Sequence, residues 1–260
     1  MLTENMHKVR ELFPEGEISF IAGPCSVESR EMLDEIARFL SGIGVRMLRG
    51  GLFKPRTSPD SFQGLREQGL SIMREVADDH HMVMITEVMD PDNIELVGKY
   101  TDVFQIGSRN SQNFALLKEL GRQEKPVLLK RGFGNTTEEF YQSSRYISSE
   151  GNNEIIMVER GIRTFEDSTR FTLDISSVPV MKEKVAFPIV VDPSHPAGKR
   201  EYVESLSLAA VAAGADGLMI EVHPEPDLAL SDGRQQVTFD QFEKIYRKAI
   251  EIRKTMNSGL

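Results

Sequence analysis

Eight short apolar segments recur along the chain, and polar turns and helical stretches separate them. Continuous apolar runs of this length are typical of parallel strands that are covered on both faces. Eight such strand–helix units in 260 residues predict one domain, a closed (β/α)8 TIM barrel. The predicted strands lie at 18–22, 45–48, 82–86, 103–106, 127–129, 155–158, 189–191 and 218–220.

An open, doubly wound sheet is the alternative architecture. It is weakened because no G-x-G-x-x-G pattern follows the first strand. We predict a short N-terminal leader over 1–17 and a barrel domain over 18–260. The leader holds too few apolar residues to fold alone, so we expect no regulatory domain and no feedback inhibition. It could instead pack across the bottom of the barrel, or on a neighbouring subunit, through Leu2, Leu12 and Phe13.

Local signals place several of the helices between these strands. Ser29 is placed to cap the first of them, and Thr136 and Glu139 have the spacing of a capping box. The stretch 162–185 is less regular, with at most a short strand near Thr172 and a helical turn near Val180.

The composition and charge of the chain limit the kinds of molecule that it can bind and the compartment in which it works. The formal net charge of −9 argues against nucleic acid or an anionic membrane. One cysteine excludes an internal disulfide, and the polar, acidic N-terminus is unlike a signal peptide. No apolar run approaches about twenty residues, the length that spans a bilayer. We therefore expect a cytoplasmic protein whose clustered cations bind a small anionic ligand.

Cationic side chains follow the second, fourth, fifth and sixth predicted strands. In (β/α)8 barrels, functional groups lie at these C-terminal strand ends. The segment 48–59 is distinctive because its glycines and prolines exclude a helix and fix the directions of its cations. So many cations predict two anionic groups on the ligands. The set comprises Arg49, Lys54, Arg56, Arg109, Lys130, Arg160 and, as its weakest member, Arg131.

A second group combines a thiol, an imidazole and two carboxylates. Cys25 follows the first strand, His195 the seventh and Glu221 the eighth, while Asp232 lies in the last loop. Because strand eight neighbours strand one in a closed barrel, we expect these side chains to converge. Such ligands bind divalent transition metals such as Mn, Fe, Co or Zn. His223 is the competing histidine.

Seven motifs carry a resemblance to a known family. The chain resembles 3-deoxy-D-arabino-heptulosonate 7-phosphate (DAHP) synthases of the short type I beta branch. That resemblance implies a (β/α)8 transferase that condenses phosphoenolpyruvate with erythrose 4-phosphate, the first step of the shikimate pathway and of aromatic amino acid biosynthesis. The motifs are AGPCS at 22–26, RGGLFKPRTSP at 49–59, IGSRNSQNF at 106–114, LLKRG at 128–132, ERGIRTFE at 159–166, DPSHPAG at 192–198 and IEVHPEP at 220–226.

The resemblance also implies roles for individual residues. Lys54 would deliver a proton to the new alkoxide. Glu87 or a metal-bound water would handle the proton of the attacking water, and Glu87 could instead only brace the arginines. The metal ligands would be Cys25, His195, Glu221 and Asp232, with His195 also counted as catalytic. Relatives of this length are commonly homotetramers or homodimers. The substrate contacts would be Arg49, Lys54, Pro55, Arg56, Thr57, Ser108, Arg109, Lys130 and Arg160.

Three alternatives remain at this stage. The sister enzyme, 3-deoxy-D-manno-octulosonate 8-phosphate synthase, uses arabinose 5-phosphate, but it tends to carry Ala-Asn-Arg where this chain has Pro55-Arg56. A metal-dependent aldolase would turn over without phosphoenolpyruvate. A non-catalytic barrel that senses sugar phosphates would bind anions tightly and release no phosphate.

Substitution Arg56→Ala tests the assignment of the 54–57 segment to the erythrose 4-phosphate site. Loss of one charge-assisted phosphate contact costs roughly 1.5–3 kcal/mol, or about ten- to a hundredfold in affinity. Steady-state kinetics should therefore show a larger rise in KM for erythrose 4-phosphate than for phosphoenolpyruvate. Equal effects on the two substrates would contradict the assignment.

Overall fold

Eight parallel strands form a closed barrel in chain order, β1 to β8. The computed structural model describes residues 7–53 and 64–258. Closure is direct, because β1 pairs with β8 over five residues, from Ser19 with Gly217 to Gly23 with Glu221. This confirms the predicted (β/α)8 TIM barrel and excludes the open sheet. The strands are β1 Ser19–Gly23, β2 Met47–Arg49, β3 Val83–Glu87, β4 Val103–Ile106, β5 Val127–Lys130, β6 Ile155–Glu159, β7 Ile189–Val191 and β8 Gly217–Glu221.

Helices alternate with the strands and cover the outside of the barrel. Short 3-10 turns at Pro91–Asn93, Ser108–Asn110 and Pro226–Leu228 accompany them. The helices in the described ranges are α1 His7–Leu12, α2 Arg30–Gly42, α3 Arg66–Asp79, α4 Ile94–Gly98, α5 Phe114–Gly121, α6 Thr137–Ser148, α7 Ser177–Lys184, α8 Ser194–Ala197, α9 Arg200–Ala212 and α10 Phe239–Asn257.

The predicted caps are present. The Ser29 hydroxyl accepts a hydrogen bond from the Met32 amide, and Thr136 and Glu139 form the reciprocal capping box. In the irregular stretch after β6, Thr172 forms only an isolated bridge with Ile162, and the helical turn near Val180 is the two-turn α7. Helix α8 was not predicted, because four residues that include a proline carry no periodic signal.

The apolar core has two layers. The larger lies between the strands and the surrounding helices, and the smaller fills the barrel interior. Alternating side chains along each strand supply the two layers. The inner layer comprises Ile21, Met47, Ile85, Val103, Leu128, Ile156, Val158, Val190 and Met219, together with Val9 and Phe13 from the N-terminal segment.

Helix α1 closes the amino-terminal end of the barrel. Val9 is fully buried, and its amide donates a 2.8 Å hydrogen bond to the Glu154 carboxylate. Phe13 packs so closely that a Cβ on Gly217 would lie 2.9 Å from its ring. Leu12 packs beside it, whereas Leu2 lies outside the described residues. The N-terminal segment therefore seals the end of the barrel opposite the predicted site. This agrees with the alternative in which the leader packs across the bottom of the barrel through Phe13.

No helix in the described part of the chain is long and apolar enough to cross a membrane.

Substitution Phe13→Ala should destabilise the barrel by about 3–5 kcal/mol, because it empties a buried position of the inner layer. Urea unfolding followed by circular dichroism measures the change. Phe165→Ala is the matched control, since the Phe165 side chain is fully exposed and its loss should alter stability by less than about 0.5 kcal/mol. Equal effects of the two substitutions would show that α1 does not seal the barrel.

Candidate active site

Three of the four predicted metal ligands converge at the carboxyl end of the barrel. Cys25 follows β1, Glu221 ends β8, and Asp232 lies in the loop beyond β8. One ligand atom from each lies within 4.8 Å of the others, and the Cys25 Sγ to Asp232 Oδ2 distance is 3.5 Å. Asp232 has a positive φ of 48°, an uncommon backbone conformation for a residue other than glycine.

His195, the fourth predicted ligand, adjoins this group through Glu221. It lies on α8, directly after β7, and its Nε2 is 3.6 Å from Glu221 Oε1. Its Nδ1 lies 2.6 Å from Asp192 Oδ2 on the other side of the ring. Burial lowers the pKa of His195, although the two carboxylates oppose this effect. A lowered pKa favours the neutral imidazole, which is the form that binds metals.

His223, the competing histidine, faces a different way. Its Nδ1 accepts a 3.0 Å hydrogen bond from the Glu225 amide, and its Nε2 lies 3.9 Å from Glu28 Oε2. Among the described residues, the clustered ligand group does not include it.

The chemistry of the donor set fits a divalent cation. Two carboxylates and a thiol within 4.8 Å of one another repel as their charges develop, and a cation between them relieves that repulsion. Glu221 is almost fully buried, so its charge depends on nearby cations, and Arg49 Nη1 supplies one of them at 3.2 Å. Mixed sulfur, oxygen and nitrogen donors suit transition metals better than Mg or Ca.

Asp192 lies at the centre of the buried charges, and sequence reasoning missed it. Its Oδ2 is 2.7 Å from Lys130 Nζ as well as 2.6 Å from His195 Nδ1. Although burial opposes ionisation, His195 and Lys130 hold the pKa of Asp192 well below its usual value. Burial also lowers the pKa of Lys130, against the attraction of Asp192. The signal in the sequence was the D-x-x-H spacing in DPSH, which was interpreted only through its histidine.

Arg49 joins the cationic residues to the ligand group. Its Nη1 donates hydrogen bonds to the Pro24 carbonyl at 2.5 Å and to Glu221 Oε1 at 3.2 Å. Its Nε is buried and has no hydrogen-bond partner among the described residues. A donor in that state is costly unless a further acceptor binds there.

Arg160 and Arg109 share an aromatic surface. The guanidinium of Arg160 lies 4.1 Å from the Phe171 ring centre and 4.9 Å from that of Phe133. Arg109 lies 5.7 Å from the Phe133 ring and is largely exposed, beside the half-buried Ser108. Burial lowers the pKa of Arg160 to about 10, so it remains a cation at neutral pH. Neither phenylalanine was predicted to belong to the site.

Arg131 was the weakest member of the predicted cationic set, and it pairs elsewhere. Its Nη1 lies 2.7 Å from Glu159 Oε2 and 2.8 Å from Asp174 Oδ2. Lys130, its neighbour in sequence, contacts Asp192 instead.

Glu87 lies at the end of β3, against the loop that carries Ser108 and Arg109. Gln105 Nε2 is 3.4 Å from its Oε2, and a Cβ on Gly107 would lie 2.1 Å from its Oε1. This position is compatible with either of its predicted roles. The predicted residues Lys54, Pro55, Arg56 and Thr57 lie outside the described residues.

Known proteins with similar sequences support the interpretation of this site. A sequence model of the DAHP synthetase I family matches residues 14–258. The chain belongs to the DAHP synthetase I family. This confirms the resemblance found in the motifs, and with it the prediction of a transferase of aromatic amino acid biosynthesis.

Individual relatives refine the comparison. The chain is 56% identical to a phospho-2-dehydro-3-deoxyheptonate aldolase of Thermotoga maritima, over 90% of this chain and 69% of the relative. A crystal structure of the DAHP synthase of that organism superposes with a TM-score of 0.91 at 54% identity, covering 93% of this chain and 71% of the other. A 2-dehydro-3-deoxyphosphooctonate aldolase of Desulfatibacillum aliphaticivorans is 33% identical, over 90% of this chain and 91% of the relative.

Substitution Asp192→Asn should lower metal affinity and activity, because the amide removes the charge between His195 and Lys130. Partners of metal-bound histidines typically contribute about 10- to 100-fold in affinity or activity. Competition with a chromophoric chelator measures the affinity. Asp174→Asn is the matched control, since it also removes a carboxylate from a cation pair but touches Arg131. A metal affinity that stays at the wild-type value in Asp192→Asn would contradict the role given to this carboxylate.

Proposed function

We propose that the protein condenses phosphoenolpyruvate with D-erythrose 4-phosphate and water to give 3-deoxy-D-arabino-heptulosonate 7-phosphate and phosphate. The observation that carries the proposal is the Cys25, Glu221 and Asp232 group beside a buried set of cations, in a chain of this family. Family membership argues against a sugar-phosphate sensor and against an aldolase that works without phosphoenolpyruvate. Identity favours the seven-carbon product, at 56% against 33% for the octulosonate relative.

The cations supply the site for phosphoenolpyruvate. Arg49, Lys130 and Arg160 are each almost fully buried, where charge-assisted hydrogen bonds to phosphate and carboxylate oxygens are strong. Arg109, nearer the solvent, would add a contact on the outer side. These residues would hold the substrate with its C3 facing the bound aldehyde. Such positioning makes the bimolecular step effectively unimolecular.

Cys25, His195, Glu221 and Asp232 would hold the divalent cation. When bound, such an ion acts as a Lewis acid towards the aldehyde oxygen of the second substrate. Asp192 would fix the ring of His195 through Nδ1, leaving Nε2 directed towards Glu221.

The bond changes follow from the two substrates. C3 of phosphoenolpyruvate attacks the aldehyde carbon, and positive charge develops at C2. Water adds at C2, and phosphate leaves by cleavage of its C–O bond. The flanking cations stabilise the phosphate as its charge grows. Lys54 is the proposed donor of a proton to the new alkoxide, and Glu87 is the proposed acceptor of the proton from water.

The segment 54–57 is proposed as the erythrose 4-phosphate site, with Arg56 and Thr57 on its phosphate and Pro55 shaping the pocket. Ser108 is proposed as a further substrate contact. The metal is proposed to be Mn, Fe, Co or Zn, since this donor set accepts each of them. A cytoplasmic homotetramer or homodimer is the proposed state in the cell, without a nucleic acid or membrane partner.

The function is tested by measuring phosphate release from phosphoenolpyruvate with and without erythrose 4-phosphate. We expect release only with both substrates, loss of activity in excess chelator, and recovery when a divalent metal is returned. Arabinose 5-phosphate in place of erythrose 4-phosphate should support little turnover. Phosphate release in the absence of any aldose phosphate would refute the assignment. A preference for arabinose 5-phosphate over erythrose 4-phosphate would also refute it.

Substitution Cys25→Ser should abolish metal-dependent activity while the barrel stays folded, because it removes a thiolate ligand. His223→Asn is the matched control, since that residue could bind metals but lies outside the ligand group. Activity after chelation and metal return, together with thermal unfolding, separates loss of a ligand from loss of structure. Full recovery in Cys25→Ser would exclude Cys25 as a ligand.

A further inference from the structure

Two consecutive glutamines connect the segments that carry the metal-ligand group. Gln235 and Gln236 are 2% and 0% exposed, in the loop between Asp232 and α10. Long polar side chains rarely become this buried unless both ends of the amide are bonded. Both ends of each amide are in fact bonded, and each side chain bridges two different segments.

Gln236 joins the segment after β1 to the Asp232 loop. Its Oε1 accepts a 3.0 Å hydrogen bond from the Cys25 amide, and its Nε2 donates to the Ser231 carbonyl at 2.9 Å. The hydroxyls of Ser26 and Ser231 lie 2.6 Å apart and add a second link between the same segments. The backbones of Cys25 and of the residue before Asp232 are therefore held at a fixed separation.

Gln235 joins β8 to the loop after β6. Its Nε2 donates a 2.6 Å hydrogen bond to Glu221 Oε2, and its Oε1 accepts from Arg170 Nη1 at 2.9 Å. The same Arg170 nitrogen lies 3.3 Å from Asp232 Oδ2. Because Arg170 can only donate and a carboxylate accepts, the orientation of the amide is fixed from both sides.

The backbone around the pair is anchored to β8. The Val237 amide donates to the Glu221 carbonyl at 2.9 Å, and Val237 forms a parallel bridge with Val222. Gly198 has a φ of 65°, and a Cβ there would lie 2.8 Å from the Arg170 Cβ, so the approach of Arg170 requires glycine at this position. Neighbouring elements thus constrain both glutamines and their partner.

We propose that Gln235 and Gln236 are positioning residues that set the spacing of Cys25, Glu221 and Asp232 for a divalent cation. Gln235 orients the carboxylate of Glu221, and Gln236 fixes the backbone of Cys25 relative to the Asp232 loop. Neither side chain touches the substrates in this role. The inference rests on the proposed function, since it presupposes that these three residues bind the metal.

The test measures Co²⁺ binding by Gln235→Met and Gln236→Met. Methionine keeps the length of the side chain and removes both hydrogen bonds. We expect Co²⁺ affinity, from competition with a chromophoric chelator, to fall about 10- to 100-fold in each variant. The absorption band of the Cys25 thiolate–Co²⁺ charge transfer should weaken or shift. Gln142→Met, on the exposed face of α6, is the matched control and should leave both readouts unchanged.

Thermal unfolding of the metal-free proteins separates positioning from folding. If a methionine variant does not fold, the same Co²⁺ measurements are made on Gln235→Asn and Gln236→Asn. The shorter asparagine amide stays polar but cannot reach both hydrogen-bond partners. Wild-type affinity and an unshifted band in folded variants would overturn the inference. A wild-type protein that binds Co²⁺ without a Cys25-dependent band would instead refute the proposed metal site itself.

Discussion

The pairing of β1 with β8 brings together residues that are about two hundred positions apart in the sequence. In its register, Gly23 lies opposite Glu221. Cys25 follows Gly23 by two residues. The Cys25 thiol is thereby carried to the edge of the ligand group, and Asp232 approaches from the loop beyond β8. An open sheet would leave β1 and β8 apart, so barrel closure is the constraint on which the ligand group depends.

Four buried charged residues at this end of the barrel have an opposite charge within ion-pair distance: Arg49, Lys130, Asp192 and Glu221. Asp192 lies between Lys130 and His195, and Glu221 lies between Arg49 and His195. Removing one partner of such a buried pair is costly, because the other charge is left uncompensated. The arrangement therefore fixes the directions of the groups that would meet the substrates, in a protein whose net charge of −9 would otherwise repel anions.

Much of the fold was predictable because parallel barrels are built from a repeated local unit. The apolar strands and the caps at Ser29 and Thr136 were found from sequence within one or two residues. The four-residue α8 was missed, because no periodic pattern exists at that length. Packing of the N-terminal segment across the bottom of the barrel was predicted only as one of two alternatives, because it depends on contacts of Val9 and Phe13 with distant strands.

Some residues of the candidate site were predictable from sequence, and others were not. Residue type, with position at a strand end for Cys25 and Glu221 and in the last loop for Asp232, was enough to indicate these three residues, and the structure brings them together. Asp192, Gln235 and Gln236 were not found, because their importance lies in what they bond to rather than in their chemistry alone. Phe133 and Phe171 were missed for a related reason: a half-buried phenylalanine carries no functional signal by itself, and only the structure shows Arg160 lying over their rings.

The central claim is that the Cys25 thiolate, the carboxylates of Glu221 and Asp232, and His195 share one divalent cation. X-ray absorption at the zinc edge of the zinc-loaded protein tests it most directly. We expect one sulfur at about 2.3 Å from the metal and a shell of nitrogen and oxygen at about 2.0–2.2 Å. A spectrum with a nitrogen and oxygen shell alone would contradict it, because Cys25 is the only cysteine in the sequence.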